Sequence, residues 1–251
     1  MFGSEIISRA FNPKLSPESL LNLEQTVQSL EEDRNLSLII YFNHITLSDG
    51  PLAFWLYRKY IDPKLERNSI VPAAYGHMNK KKDPVISRLA PIGSYVLDLN
   101  FIPVVRSYDE GVDDDLAFSS HIELLRNIKK QIPCDLLIAP EGHRSDTGEM
   151  QKGEMGLVKL ARLMSPLIAL PVGIIPSDYS SYDEYGLVEE RVINRGLNLG
   201  GQFTLSVGKG FKINRGDLTR DNMEERFDML MRNLASQLPE NMQGHYRQMD
   251  P

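Results

Sequence analysis

Short runs of apolar, β-forming residues alternate with helix-patterned stretches along most of this chain. That alternation limits the fold more than any other feature. The runs are LSLIIYF (36–42), IVPAAY (70–75), FIPVV (101–105), DLLIAP (135–140), PLIALPVGII (166–175) and FTLSVG (203–208). Their hydrophobicity is nearly continuous, which predicts strands covered on both faces. Between them lie the helical patterns PLAFWLYRKYI, DDLAFSSHIELLRNIKK, GEMGLVKLARLM and NMEERFDMLMRNLASQL. Strands alternating with helices predict an α/β fold, with a mainly parallel central sheet flanked by helices. Ahead of the first strand, Ser16, Pro17 and Glu18 supply a cap, a first-turn proline and a favourable negative charge. Leu20, Leu23, Val27 and Leu30 then recur at helical spacing. The expected division is an N-terminal helical segment, 1–35, and one larger domain, 36–251, with no repeat or linker. The polar stretch Ser177 to Gly201 reads as a long loop, either a flap over a site or an inert insertion.

Composition narrows the function classes. The net charge of −6 argues against generic nucleic-acid binding, which needs a positive field to displace counterions. Cys134 is the single cysteine, so no intramolecular disulfide forms and a reducing compartment fits. Its apolar flanks favour a buried small side chain over a catalytic thiol. The opening residues lack a basic start followed by an apolar run, so no signal peptide is expected. No run of about 18 apolar residues occurs, so no helix is expected to span a bilayer. The expectation is a cytoplasmic protein, soluble or associated with a membrane from that face.

Chemistry has four places to sit. In NHITLSDGP (43–51), His44 follows an apolar strand, and Asp49 precedes Gly50 and Pro51 where a helix begins. A strand–turn–helix junction can fold that carboxylate back toward the imidazole. Such a pair suits base catalysis, with Asp fixing the tautomer and stabilising the imidazolium; a structural histidine is the competing reading. In NFIPVVRS (100–107), Arg106 ends a strand, where ligands of open α/β sheets gather, and its fork of donors suits phosphate. A surface arginine paired with one of Asp113 to Asp115 is the alternative. In APEGHRSDTGEMQKGE (139–154), Glu141, Gly142 and Arg144 lie on a turn after a strand, a cradle for phosphate and hydroxyl groups or a plain charged turn. Pro171 and Gly173 alter the path of the last apolar strand, LPVGIIP (170–176).

Taken in order, these blocks resemble the glycerophospholipid acyltransferases, which include 1-acylglycerol-3-phosphate and glycerol-3-phosphate acyltransferases. NHITLSD resembles their His-x4-Asp signature, and NFIPVVR a second block ending in a phosphate-binding Arg. APEGHRS resembles Pro-Glu-Gly-Thr-Arg-Ser, and ALPVGI a Val-Pro-Val-like strand. The resemblance spans roughly residues 36 to 238, making 36–251 an acyltransferase domain. It implies that His44 is the general base and Asp49 its orienting partner. It further implies that Arg106 binds the acceptor's phosphate, and that Glu141, Gly142 and Arg144 form the second wall of the acceptor pocket. His143 replaces the usual Thr and Asn100 a common Gly, while His77 and Lys80 to Lys82 stand where the family often has a Lys.

The activity implied is acyl transfer from acyl-coenzyme A or acyl carrier protein, as co-substrate, to the hydroxyl of a phosphorylated glycerol or lysophospholipid. No metal or bound cofactor is required. Lys80 to Lys82 would suit coenzyme A phosphates or an acidic acyl carrier protein, or are simply solvated. Phe54, Trp55 and Tyr57 beside Arg58 and Lys59 would suit a peripheral membrane contact; core packing is the competing reading. Two other functions remain open: a metal-dependent hydrolase using His44, Asp49, His77 and Glu141, and a catalytically silent lipid-phosphate binding module.

Overall fold

The computed structural model describes residues 2–46, 48–74, 100–105, 114–145, 147–177 and 202–247. The chain forms α1 (Phe2–Phe11), β1 (Pro13–Leu15), α2 (Pro17–Glu32), β2 (Ser37–Phe42) and α3 (Asp49–Tyr60). It continues through α4 (Asp62–Leu65), β3 (Ser69–Ala74), β4 (Asn100–Val104), α5 (Asp114–Gln131) and β5 (Asp135–Ile138). The remaining elements are α6 (Gly156–Met164), β6 (Leu167–Pro176), β7 (Phe203–Val207), β8 (Phe211–Ile213) and α7 (Met223–Ala235), before two short 3₁₀ turns. Tyr75, most of the Ser177 to Gly201 stretch, His77 and Lys80 to Lys82 lie outside the described residues.

The fold is α/β, and its sheet is mainly parallel. The strands lie in the order β1-β7-β6-β2-β5-β3-β4, with β8 also paired to β6. β2 runs parallel to both β5 and β6, and β3 runs parallel to β4 and β5. β7 and β8 share the far edge of β6 and run antiparallel to it. That antiparallel edge has a mark in the sequence. In FTLSV, Phe203, Leu205 and Val207 are buried while Thr204 and Ser206 are half-buried, the alternation of a strand covered chiefly on one face.

β2 explains why a continuous apolar run was needed. All six of its residues are buried. Ile39 and Tyr41 face a layer built from α6 and α7, with Val158, Ala161, Leu230 and Leu234. Leu38, Ile40 and Phe42 face the opposite layer from α2 and α3, with Leu23, Val27, Leu52 and Trp55. Each large apolar side chain so placed contributes about 1.5–3 kcal/mol.

The expected N-terminal helix starts at its expected cap. Ser16 is the N-cap of α2, and its Oγ accepts the Ser19 N–H at 3.0 Å. Two side chains of α2 clip it to β7: Ser19 Oγ accepts the Val207 N–H at 3.0 Å, and Asn22 Nδ2 donates to the Val207 carbonyl at 2.8 Å. Residues 13–15 add a strand beside β7 that the sequence pattern did not reveal, because three residues carry no readable period.

α3 settles the role of its aromatic residues. Phe54, Trp55 and Tyr57 are 1%, 2% and 0% exposed, so all three rings pack in the core and offer no aromatic face to a bilayer. The basic residues stay at the rim, where Lys59 Nζ sits 4.8 Å from the Trp55 ring centroid. No helix among the described residues is long and apolar enough to cross a membrane.

Cys134 is fully buried, and burial pushes its thiol up to about 12, which removes it as a nucleophile near neutral pH. Beside it, Asp135 accepts the Tyr57 hydroxyl at 3.0 Å and lies 3.3 Å from Arg67 Nη2. Burial lifts the Asp135 carboxyl to about 6 against the lowering effect of Arg67.

Gly173 serves close packing. A Cβ added there would stand 2.5 Å from the Gln237 carbonyl oxygen, which is backbone and cannot swing aside. Gly173→Ala should therefore lower stability by about 1–3 kcal/mol. Urea denaturation measures this, and an unchanged midpoint would show that the segment after α7 yields freely.

Candidate active site

The site is built where β2 and β5 end and β6 runs on beyond them, at the carboxyl pole of the parallel strands. Asn43 closes β2 onto β6. It is fully buried, its Nδ2 donates to the Ile174 carbonyl at 3.0 Å, and its Oδ1 accepts the Ile174 N–H at 2.7 Å. The side chain thus completes pairing that the backbone of β2 has just left. His44 follows immediately, with 22% of its side chain exposed.

Asp49 is the first residue of α3 and lies five positions beyond His44, yet the two side chains meet. His44 Nδ1 and Asp49 Oδ2 are 3.1 Å apart. The turn between them is folded around the carboxylate. Oδ2 also accepts the Ile45 N–H at 2.5 Å and the Thr46 N–H at 2.6 Å, while Oδ1 accepts the Thr46 hydroxyl at 2.9 Å. Thr46 Oγ1 in turn accepts the Ser48 N–H at 3.0 Å. Asp49 is 1% exposed, so these donors replace the water it has lost. Its place in the first helical turn adds the favourable end of the α3 dipole. In the tautomer whose Nδ1–H points to Asp49, Nε2 keeps its lone pair, as a base requires.

The third sequence block is tied to the first from below. Gly142 adopts φ 74°, the left-handed region that favours glycine, and its N–H returns to the Ala139 carbonyl at 3.3 Å. That tight turn drops Glu141 inward to 1% exposure. One Glu141 oxygen accepts the His44 N–H at 2.8 Å and the other the Gln151 N–H at 2.7 Å. Its carboxylate therefore grips the backbone of the histidine and does not itself face open solvent. The Ser145 N–H donates to the His44 carbonyl at 2.8 Å, a second tie between the blocks. Burial raises the Glu141 carboxyl to about 7, outweighing the two amides that favour its charge.

Arg144 sits between Ser145 and the exposed His143, half-buried. Among the described residues, no hydrogen bond or ion pair engages its guanidinium. A Cβ added at Gly50, next to Asp49, would meet nothing within 4 Å, so open space adjoins the start of α3. His44, Asp49, Glu141, Gly142 and Arg144 are thus brought to one pole from two stretches distant in sequence, the turn from β2 into α3 and the loop after β5. Arg106 lies outside the described residues, as does Asp113, a candidate partner for it; Val105 ends the described stretch at the carboxyl end of β4. Among the described residues no group of His, Cys, Asp and Glu is arranged to hold a metal ion.

Asn43, Thr46 and Ser145 were not singled out from the sequence. Each acts on backbone or on another buried group, and short polar residues in turns look alike in a bare sequence. The one usable signal is Asn43, a polar residue ending an otherwise apolar run. No protein-family model matches the chain, and a search of curated proteins finds no match.

Two outcomes are expected at Glu141. Glu141→Gln turns an amide donor toward one of the two backbone N–H groups, leaving it unpaired at a cost of about 1–3 kcal/mol. Folded Glu141 holds its proton up to about pH 7, above the ordinary value of 4.5. Its stabilising contribution is therefore fully present below the unfolded value and is lost as pH rises through the folded one. The variant has no such titration, so its deficit against wild type should narrow between about pH 5 and about pH 8. Denaturant titrations across that range measure the gap; a constant gap would show that Glu141 does not titrate there.

Proposed function

We propose that this chain is an O-acyltransferase that moves a fatty acyl group from a thioester carrier, acyl-coenzyme A or acyl carrier protein, to a hydroxyl of a phosphorylated glycerol or lysophospholipid. The observation that carries the reading is the His44–Asp49 pair: a part-exposed imidazole whose Nδ1 lies 3.1 Å from a buried carboxylate. A histidine that only filled the core would not need its orientation fixed by such a clamp. The resemblance of the four sequence blocks to glycerophospholipid acyltransferases supports the same reading, and supplies the acceptor class.

In this reaction His44 Nε2 takes the proton of the acceptor hydroxyl as that oxygen attacks the thioester carbonyl carbon. Asp49 stabilises the imidazolium that forms. The tetrahedral intermediate collapses, the C–S bond breaks, and the departing thiolate recovers the proton from His44. Ester and free thiol result, with no covalent enzyme intermediate. Arg144 supplies a cation for the acceptor's phosphate. Arg106 is assigned to the same phosphate by the resemblance of NFIPVVR to the family's second block. Glu141 acts at one remove, as a positioning residue that holds the His44 backbone. No metal or bound cofactor enters the scheme.

His44→Ala should reduce turnover by about 10²–10⁴ while the protein stays folded, because a positioned base contributes that much. Asp49→Asn should be nearly as damaging. Steady-state thiol release with circular dichroism as the folding control measures both, and a folded His44→Ala protein keeping more than about a tenth of wild-type turnover contradicts the assignment. Arg144→Ala and Arg106→Ala should raise KM for a phosphorylated acceptor and leave kcat nearly intact. An unchanged KM in either variant would reduce that arginine to a structural role.

A further inference from the structure

The His44 site occupies one pole of the sheet. At the other pole, bounded by the end of α6, the start of β6 and the loop from β8 to α7, lies a surface hollow of about 410 Å³. Arg162 on α6 and Arg215 and Arg220 on the loop line it, together with the hydroxyl residues Ser165 and Thr219. Among the described residues no carboxylate lines the hollow. None of the three guanidinium groups belongs to an ion pair among the described residues. The acid closest in sequence to Arg215, Asp217, is engaged by the backbone and side-chain amides of Asn214.

Convergence of three cations without a counter-charge leaves a positive field that an anion relieves. Arg215 is partly preorganised: its Nε donates to the Ser165 carbonyl at 3.3 Å, which fixes the plane of the fork and leaves its terminal nitrogens to donate elsewhere. A guanidinium fork matches phosphate in two-point geometry, and the Thr219 hydroxyl adds a neutral donor, while the Ser165 hydroxyl donates to the Arg162 carbonyl at 3.0 Å. The remaining wall is apolar, from Leu163 and Leu218. The volume falls in the range of about 300–1,000 Å³ that small-molecule sites occupy.

We propose that this hollow is a second binding site, specific for a phosphate group, carried by a small organic phosphate or present as the free ion. It is separate from the His44 site. β2 and β6 pair from Ser37 and Leu167, at this pole, to Phe42 and Val172 at the other. At about 3.3 Å per residue the two ends of that paired stretch are about 16 Å apart. A phosphate in the hollow is therefore not the acceptor phosphate assigned to Arg144, and the site stands whether or not that reaction does.

Calorimetric titration of the full chain with inorganic phosphate and with phenyl phosphate, at constant ionic strength set by sodium chloride, tests this. Saturable binding is expected for both. Arg162→Ala combined with Arg215→Ala should weaken it about tenfold or more, and Arg220→Ala alone several-fold, as charge-assisted contacts are lost. Arg144→Ala removes a phosphate contact proposed for the His44 site, and the binding that depends on Arg162 and Arg215 should persist in that variant. All three arginines of the hollow are exposed, and melting curves confirm that the variants fold. Tighter binding of phenyl phosphate supports an organic ligand packed on Leu163 and Leu218, whereas equal affinity supports the free ion. Wild-type affinity in the double variant, or loss of binding in Arg144→Ala alone, overturns the proposal.

Discussion

The proposed chemistry depends on a carboxylate with no water. Asp49 is almost fully buried, and an isolated carboxylate there would cost several kcal/mol or take up a proton. It remains usable as an acceptor because the chain wraps it in donors: two consecutive amides, a hydroxyl and the His44 ring. The same donors shape the turn from β2 into α3. Local folding and imidazole orientation are thus one event, and the His-x4-Asp spacing acquires a physical meaning. Four intervening residues suffice for the backbone to curl around the carboxylate before the helix starts.

A second buried carboxylate does the equivalent work between segments. Glu141 joins the amide of His44 to that of Gln151, so the loops after β2 and β5 are tied through one carboxylate. Asn43 fastens the same corner to β6. Three strands therefore hold the segment from Asn43 to Thr46, and the ring of His44 projects from a braced backbone. Arg144 is positioned by the same bracing, since its neighbour Ser145 bonds directly to the His44 carbonyl. Rigid placement matters for a general base, because proton transfer requires a heavy-atom separation of about 2.6–3.2 Å.

Much of this was legible before the structure. The apolar run at 36–42 forecast a central, two-sided strand, and β2 is one; Ser16 and Pro17 forecast the start of α2, which begins there. The helix at Trp55 was ambiguous, because an aromatic and basic stripe suits an interface and a core equally, and burial alone decides. Strand β1 was invisible because its stability comes from β7, far along the chain. The antiparallel pairing of β7 and β8 with β6 was missed because FTLSVG was grouped with the nearly continuous apolar runs, although Thr204 and Ser206 interrupt it. At the site, junction geometry allowed the meeting of His44 with Asp49, with a structural histidine as the competing reading, and the two side chains do meet. The inward turn of Glu141 did not, since its partners are backbone amides that every sequence possesses.

The most direct test of the account is the stoichiometry of thiol release by the wild-type protein. Acyl-coenzyme A and acyl carrier protein thioesters would be offered with and without a small panel of phosphorylated hydroxyl acceptors, and thiol and ester quantified together. The account predicts thiol release that needs an acceptor and yields one ester for each thiol freed. Release at the same rate without acceptor would make the protein a hydrolase. Acceptor binding with no release from either thioester would make it a binding module, and either result would contradict the account.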